Sequence, residues 1–311
     1  MPVKAFSPGT CYVLLNARGG TAMDLSGADN TSIIGYPMHG GANQQWDFIP
    51  CGLGYAIRCV RPSKDGNALY LTVDCGGVRD RAPIVAGVYP VAWTVEQTEQ
   101  GIIISWPNSK YVFDLANWGD KAACTKIQLM PLIPGELCQL WHLDARGPAP
   151  DAYDATAAAV SSTCSFTPGT YHVLLNAHCG TAMDMSGTDD TSITGYPMHG
   201  GDNQQWEFIR CGLGHAIRCV RPSQDGNACY LTVESGGAGD CAPVVASAHP
   251  VAWNVEQTEE GTRISWPNSQ YVFHLANEGD QAACKKLQLM PLIPGELCQL
   301  WRTTQVTTAC K

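Results

Sequence analysis

The sequence predicts an all-β fold built as two tandem copies, on three observations. Sliding the chain by 160 residues aligns Phe6–Trp141 with Phe166–Trp301 without a gap, and 102 of the 136 aligned positions are identical. Within the first copy tryptophans recur at Trp46, Trp93 and Trp141, spaced 47 and 48 residues, and the second copy repeats them at Trp206, Trp253 and Trp301. No stretch holds a 3.6-residue apolar stripe over ten residues. The apolar segments are short, rich in Val, Ile and Tyr, and cut by turn residues.

In chain order, Tyr12-Val-Leu-Leu-Asn reads as the first strand. A short strand ending in an acid precedes each tryptophan: Thr21-Ala-Met-Asp24, Tyr70-Leu-Thr-Val-Asp74 and Tyr111-Val-Phe-Asp114. Tyr55-Ala-Ile-Arg-Cys-Val and Ile102-Ile-Ile-Ser-Trp supply further strands. Asp65-Gly66-Asn67, Gly76-Gly77, Pro107-Asn108 and Pro134-Gly135 mark turns between them. From Asp144 to Ser162 the chain is rich in Ala, Pro, Ser and Asp and has almost no apolar period. This divides the chain into a domain over 1–145, an exposed linker over 146–162 with room for a short helix at Asp154–Val160, and a domain over 163–311.

The 311 residues include 45% apolar and only 15% charged side chains, enough to build cores and too few charges for a disordered chain. With 28 acids against 19 bases the net charge is −9, which argues against nucleic acid or an anionic membrane as the main partner. No apolar run approaches the length of a membrane span, so no membrane insertion is expected. The N-terminus lacks an apolar export segment, and a cytoplasmic location with reduced thiols is the expectation. Fifteen cysteines show neither CxxC nor Cys/His metal spacing, and no cofactor is implied. Cys51 and Cys59, flanking a hairpin, are the pair expected to depart from the reduced state.

Three repeats of about 47 residues, with Gln-x-Trp at Trp46, Trp141, Trp206 and Trp301, resemble the ricin B-chain-like lectins. The block Asp-Leu-Ser-Gly…Gly-Tyr-Pro-x-His-Gly-Gly-x-Asn-Gln-Gln-Trp looks like fungal, mushroom-type members. The resemblance covers nearly all of both copies. It implies two β-trefoils of pseudo-threefold symmetry that bind galactose or N-acetylgalactosamine at up to three sites each, and a role in cross-linking glycans.

A neutral sugar needs a carboxylate for its hydroxyls, an amide that donates and accepts, and an aromatic ring under its C–H face. The first repeat has all of these. By the family pattern Asp24 is the main hydroxyl acceptor, Tyr36 stacks, and Asn43 completes the hydrogen bonds. His39 lines the rim, Gly35 lets a sugar approach the backbone, and Gln44 supports the acid or backbone. Copy two preserves the set as Asp184, Gly195, Tyr196, His199, Asn203 and Gln204, and 21 of the 26 positions from Thr21 to Trp46 are identical between the copies. Asp24 and Asp184 are expected to face small pockets open to water beside an aromatic platform.

The second repeat departs, with Val91-Ala92-Trp93 for Gln-x-Trp, Pro90 in place of the Asn, and Glu234 in place of Asp74 in copy two. The third is mixed: Asp114, Gln128 and Gln139 are present, but Met130 takes the stacking position and Cys138 the Asn position. Trp118 offers a ring from another direction, whereas copy two has His274 and Glu278 at the positions of Asp114 and Trp118. One site per domain is therefore expected.

Bland readings exist for each site residue. The acids could cap turns, Tyr36 could be barrel packing, and Asn43 could bond loop backbone. No enzyme is expected: GxSxG, HExxH and phosphate-loop motifs are absent, and Asp29, near Asp24, lies in a polar turn. The rival binding class is a β-trefoil protease inhibitor without sugar binding, which would have no need of the Asp–Tyr–Asn set.

Overall fold

The computed structural model describes residues 10–74, 78–107, 109–148, 166–234, 238–267, 269–276 and 285–306. Its chain divides into two compact units, Met1–Ala159 and Val160–Lys311. The strands of unit 1 are β1 (Thr10–Asn16), β2 (Ala22–Leu25), β3 (Ile33–Tyr36), β4 (Trp46–Cys51), β5 (Gly54–Cys59), β6 (Leu69–Val73), β7 (Ile84–Gly87), β8 (Thr94–Thr98), β9 (Gly101–Ser105), β10 (Tyr111–Leu115), β11 (Thr125–Pro131) and β12 (Trp141–Pro148). The bounds of β1, β2, β5, β6, β9 and β10 fall within one or two residues of the six segments read as strands, and the other six strands had no predicted bounds.

The strands form one closed sheet with three appended hairpins. Antiparallel ladders join β1 to β4, β4 to β5, β8 to β9, β9 to β12 and β12 back to β1. Reciprocal backbone hydrogen bonds of 2.9 Å between Tyr55 and Trp93 close the ring between β5 and β8. The hairpins are β2–β3, β6–β7 and β10–β11. Each touches the other two, through the β3–β11 pairing and the bridges Ser32↔Val85 and Pro83↔Gln128.

The tryptophan spacing has a structural cause. Trp46, Trp93 and Trp141 are fully buried where barrel strands begin. The indole N–H of Trp46 donates to the Met23 carbonyl at 3.1 Å, and that of Trp93 to the Leu71 carbonyl at 2.9 Å. All three rings fill the core, and the indole N–H groups of Trp46 and Trp93 tie the barrel to the hairpin upstream, whereas that of Trp141 is buried without a partner among the described residues. Phe113 packs edge-on against Trp93 at 4.6 Å. Alternation along β9 buries Ile102 and Ile104 beside these rings.

Unit 2 repeats the design with β13 (Tyr171–Asn176), β14 (Ala182–Met185), β15 (Ile193–Tyr196), β16 (Trp206–Cys211), β17 (Gly214–Cys219), β18 (Tyr230–Val233), β19 (Ala242–Ser247), β20 (Asn254–Thr258), β21 (Gly261–Ser265), β22 (Tyr271–Leu275), β23 (Lys285–Pro291) and β24 (Trp301–Gln305). Its ring closes through reciprocal hydrogen bonds between His215 and Trp253.

Two expectations are corrected. Residues 146–148, read as linker, continue β12, where Gly147 lies opposite Cys11 and Pro148 opposite Thr10. Pairing with β1 holds them despite their linker-like composition. The rest of the linker and the helix at Asp154–Val160 lie outside the described residues. The Cys51–Cys59 disulfide does not form, because Cys51 faces Gly54 at one end of the β4–β5 hairpin and Cys59 faces Trp46 at the other. Among the described residues no helix is long and apolar enough to cross a membrane.

Candidate functional site

The first-repeat residues converge on Asp24. Hairpin pairing sets Asp24 opposite Ile34 and Ala22 opposite Tyr36. A 3-10 turn at Ala42–Gln44 then brings Asn43 over the end of β2. The Asn43 Nδ2 donates to Asp24 Oδ2 at 2.8 Å and to the Leu25 carbonyl at 3.3 Å. His39 Nε2 lies 3.3 Å from the same Oδ2. His39 Nδ1 accepts the Gly41 N–H at 3.1 Å, which places the ring proton on Nε2, facing the carboxylate. The hydrogen bonds to Asp24 among the described residues all end on Oδ2. Oδ1 keeps its lone pairs for another donor.

Gln44 is fully buried and acts from beneath. Its Oε1 accepts the N–H groups of His39 and Gly40 at 2.8 and 3.0 Å, and its Nε2 donates to the Pro37 carbonyl at 3.0 Å. It fixes the loop that carries His39. Tyr36 is 37% exposed, and its ring meets that of His39 edge-on at 6.1 Å.

Unit 2 builds the same cluster. Asn203 and Gln204 each donate to Asp184 Oδ2 at 2.9 Å, and His199 Nε2 lies at 3.2 Å. Tyr196 and His199 repeat the edge contact at 6.0 Å.

Two expectations about this site change. The acids are not open to water: the Asp24 and Asp184 side chains are only 4% and 7% exposed, beneath histidines that are 45% and 44% exposed. Polar neighbours, rather than the apolar core, cover them. Gly35 and Gly195 do not serve to admit a sugar to the backbone. Both are buried, and a Cβ on Gly35 would lie 2.7 Å from Leu115 and from Thr21 Oγ1. On Gly195 it would lie 2.7 Å from Thr21's counterpart, Thr181. Gly35→Ala is therefore expected to destabilise unit 1 by about 1–3 kcal/mol, read as a fall in the urea midpoint. An unchanged midpoint would refute the packing role.

Sequence reasoning missed two features. The His–Asp contact was legible only as a repeated His-Gly-Gly: a Cβ on Gly41 would lie 2.9 Å from Asn43 Oδ1 and 3.0 Å from the His39 ring, so glycine lets both side chains approach. The arginines behind the acids gave no signal. Arg61 Nη2 donates to the carbonyls of Leu25 and Ser26 at 2.8 and 3.2 Å, and Arg221 holds Met185, Ser186 and Asp190 in the same way.

Asp29 is held down to about 2 by the Ser32 hydroxyl and the Thr31 and Ser32 N–H groups, so it carries no proton to donate near neutrality. Burial pushes the Cys59 and Cys219 thiols up to about 12, away from nucleophilic thiolate. Among the described residues no group of three or more His, Cys, Asp or Glu could hold a metal.

No family model matches the chain, and no curated protein does. Solved structures do resemble it. The ricin B-like lectin of Macrolepiota procera, in complex with lactose, is 35% identical over 45% of this chain and 99% of its own, with a TM-score of 0.41. The Rhizoctonia solani agglutinin is 24% identical over 47% of this chain and 100% of its own, with a TM-score of 0.39. ThreeFoil, a designed threefold-symmetric protein, is 22% identical over 43% of this chain and 96% of its own, with a TM-score of 0.37.

Proposed function

We propose that the chain is a carbohydrate-binding protein of the ricin B-chain-like kind. Each unit is read as a β-trefoil with one site for galactose-type sugars in its first repeat. The observation that carries this reading is the same cluster in both units: an acid whose Oδ2 is clamped by Asn and His, beside a part-exposed tyrosine.

The clamp orients the carboxylate so that Oδ1 accepts sugar hydroxyls, with charge-assisted strength in a part-dry setting. Tyr36 and Tyr196 supply rings for the C–H face of the sugar. His39 and His199 stand at the rim and move aside or bond to the sugar as it reaches the acid. A single shallow site of ~mM affinity is worth only about −4 kcal/mol. Two sites on one chain gain roughly 10²–10⁴ on a multivalent surface, which gives the duplication a use in agglutination.

A glycan array probed with the intact chain, run beside a protease panel, tests this. Signal on glycans ending in galactose or N-acetylgalactosamine, with no protease inhibited, is the expected result. Inhibition of a protease with a blank array would favour the inhibitor class.

A further inference from the structure

The two units part company at the third repeat. Arg81, Asp114, Met130 and Cys138 line a cleft in unit 1. Cys241, His274, Met290 and Cys298 stand at those positions in unit 2. The guanidinium and the carboxylate have given way to a thiol and an imidazole, and the methionine is kept. Hard, charged groups are thus replaced by soft or borderline metal ligands.

The strand register explains why these groups meet. On one side of β23, Ala242 of β19 pairs with Leu289, so the residue before it, Cys241, comes level with Met290. The Cys241 Sγ lies 3.6 Å from the Met290 Sδ. Zinc–sulfur bonds are about 2.3 Å long, and bonds of that length let one ion reach both atoms. On the other side His274 of β22 pairs with Gln288, two residues from Met290 along β23 and on the same face. That makes it a diagonal neighbour of Met290 at roughly 7–8 Å, a span that long side chains and rings cover. The His274 Nδ1 is buried and has no hydrogen-bond partner among the described residues, a cost that a bound ion would relieve. Cys241 is exposed and Met290 half-buried, so an ion can enter from solvent. Cys241 holds φ 58°, but its counterpart Arg81 shares this at 62°, so the turn belongs to the fold and only the side chain is new.

We propose that Cys241, Met290 and His274 bind one soft monovalent cation of the Cu(I) type. Thiolate and thioether together select Cu(I) over harder ions, and imidazole suits copper as well. Cys241 binds as the thiolate, and its proton passes to solvent as the metal–sulfur bond forms, with no change of oxidation state. The thioether is what brings the set to three, since only two of its members are His or Cys. The site lies in the third repeat of unit 2 and uses none of the first-repeat residues.

Cu(I) is titrated into the intact chain under anaerobic, reducing conditions, in competition with bathocuproine disulfonate, a Cu(I) chelator whose complex is coloured. The other cysteines are the same in every variant, so differences between variants count this site alone. Cys241→Ser should remove one tightly held equivalent. Met290→Leu and His274→Gln should each weaken that equivalent at least tenfold. Arg81→Cys should add a second, weaker equivalent, because unit 1 has Met130 and the same turn but Asp114 in place of His274. Excess Zn(II) should not displace the ion of unit 2. Full stoichiometry in a folded Cys241→Ser chain, undiminished affinity in a folded Met290→Leu or His274→Gln chain, no added equivalent in Arg81→Cys, or displacement by zinc would each overturn the proposal.

Discussion

Lowering the pH from 7 to 5 is expected to destabilise unit 2 by about 2 kcal/mol while leaving unit 1 nearly unchanged. Unit 2 holds four histidines, His172 and His215 buried and His249 and His274 half-buried, whose ring pKa values all lie below the ordinary range with desolvation the leading cause. Unit 1 has Tyr12, Tyr55, Tyr89 and Asp114 at those positions. His215 is pushed down furthest, from 6.5 to about 4. It sits against Phe166 at 5.7 Å and Phe208 at 6.3 Å, in an aromatic group that also holds His172.

A base whose folded pKa is depressed takes up its proton first in the unfolded chain. Stability is therefore complete above pH 6.5 and is lost as the pH falls from 6.5 towards 4, by about 2 kcal/mol at pH 5 and about 3 kcal/mol at pH 4 for His215 alone. A phenol stays neutral over that range. Hydrogen exchange on the intact chain would show it, with protection of β16 and β17 falling while that of β4 and β5 holds. His215→Tyr should remove most of the difference. Equal loss in both units, or an unchanged profile in His215→Tyr, would contradict the burial argument.

Removing one acid alone, by Asp24→Ala or Asp184→Ala, should abolish agglutination while leaving monovalent sugar binding at the other unit. The cluster is built round the carboxylate: without it, Asn43 Nδ2 keeps only the Leu25 carbonyl and His39 Nε2 loses its acceptor. Hydroxyl recognition goes with it, so one unit contributes nothing. Apparent affinity for a glycan-coated surface then falls by the avidity factor of roughly 10²–10⁴, down to that of a single site. Surface plasmon resonance at low and high glycan density separates the two quantities. A single variant that still cross-links fully would show that sites beyond these two are at work.

The duplication, the strand periods and the tryptophan spacing were readable because each leaves a one-dimensional trace. Buried tryptophans recur once per hairpin, and turns need Gly, Pro, Asn or Asp. Trp46 and Trp93 show why the spacing is fixed, since their indoles reach back to the preceding hairpin. What stayed hidden depends on folding distant segments together. The covering of Asp24 by His39 needs a loop return whose geometry Gln44 sets from below. Gly35 looked like an opening and is instead a space filled by Leu115, eighty residues away in sequence. Residues 146–148 looked like linker because composition cannot report that β1 needs a partner there.

The most direct measurement is calorimetric titration of the intact chain with lactose, before and after combining Asp24→Ala with Asp184→Ala. The unmodified chain is expected to take up two lactose molecules. The double variant, folded by circular dichroism, should take up none. Lactose binding of undiminished stoichiometry in that folded variant would mean that the paired Asp–Asn–His clusters are not where the sugar sits.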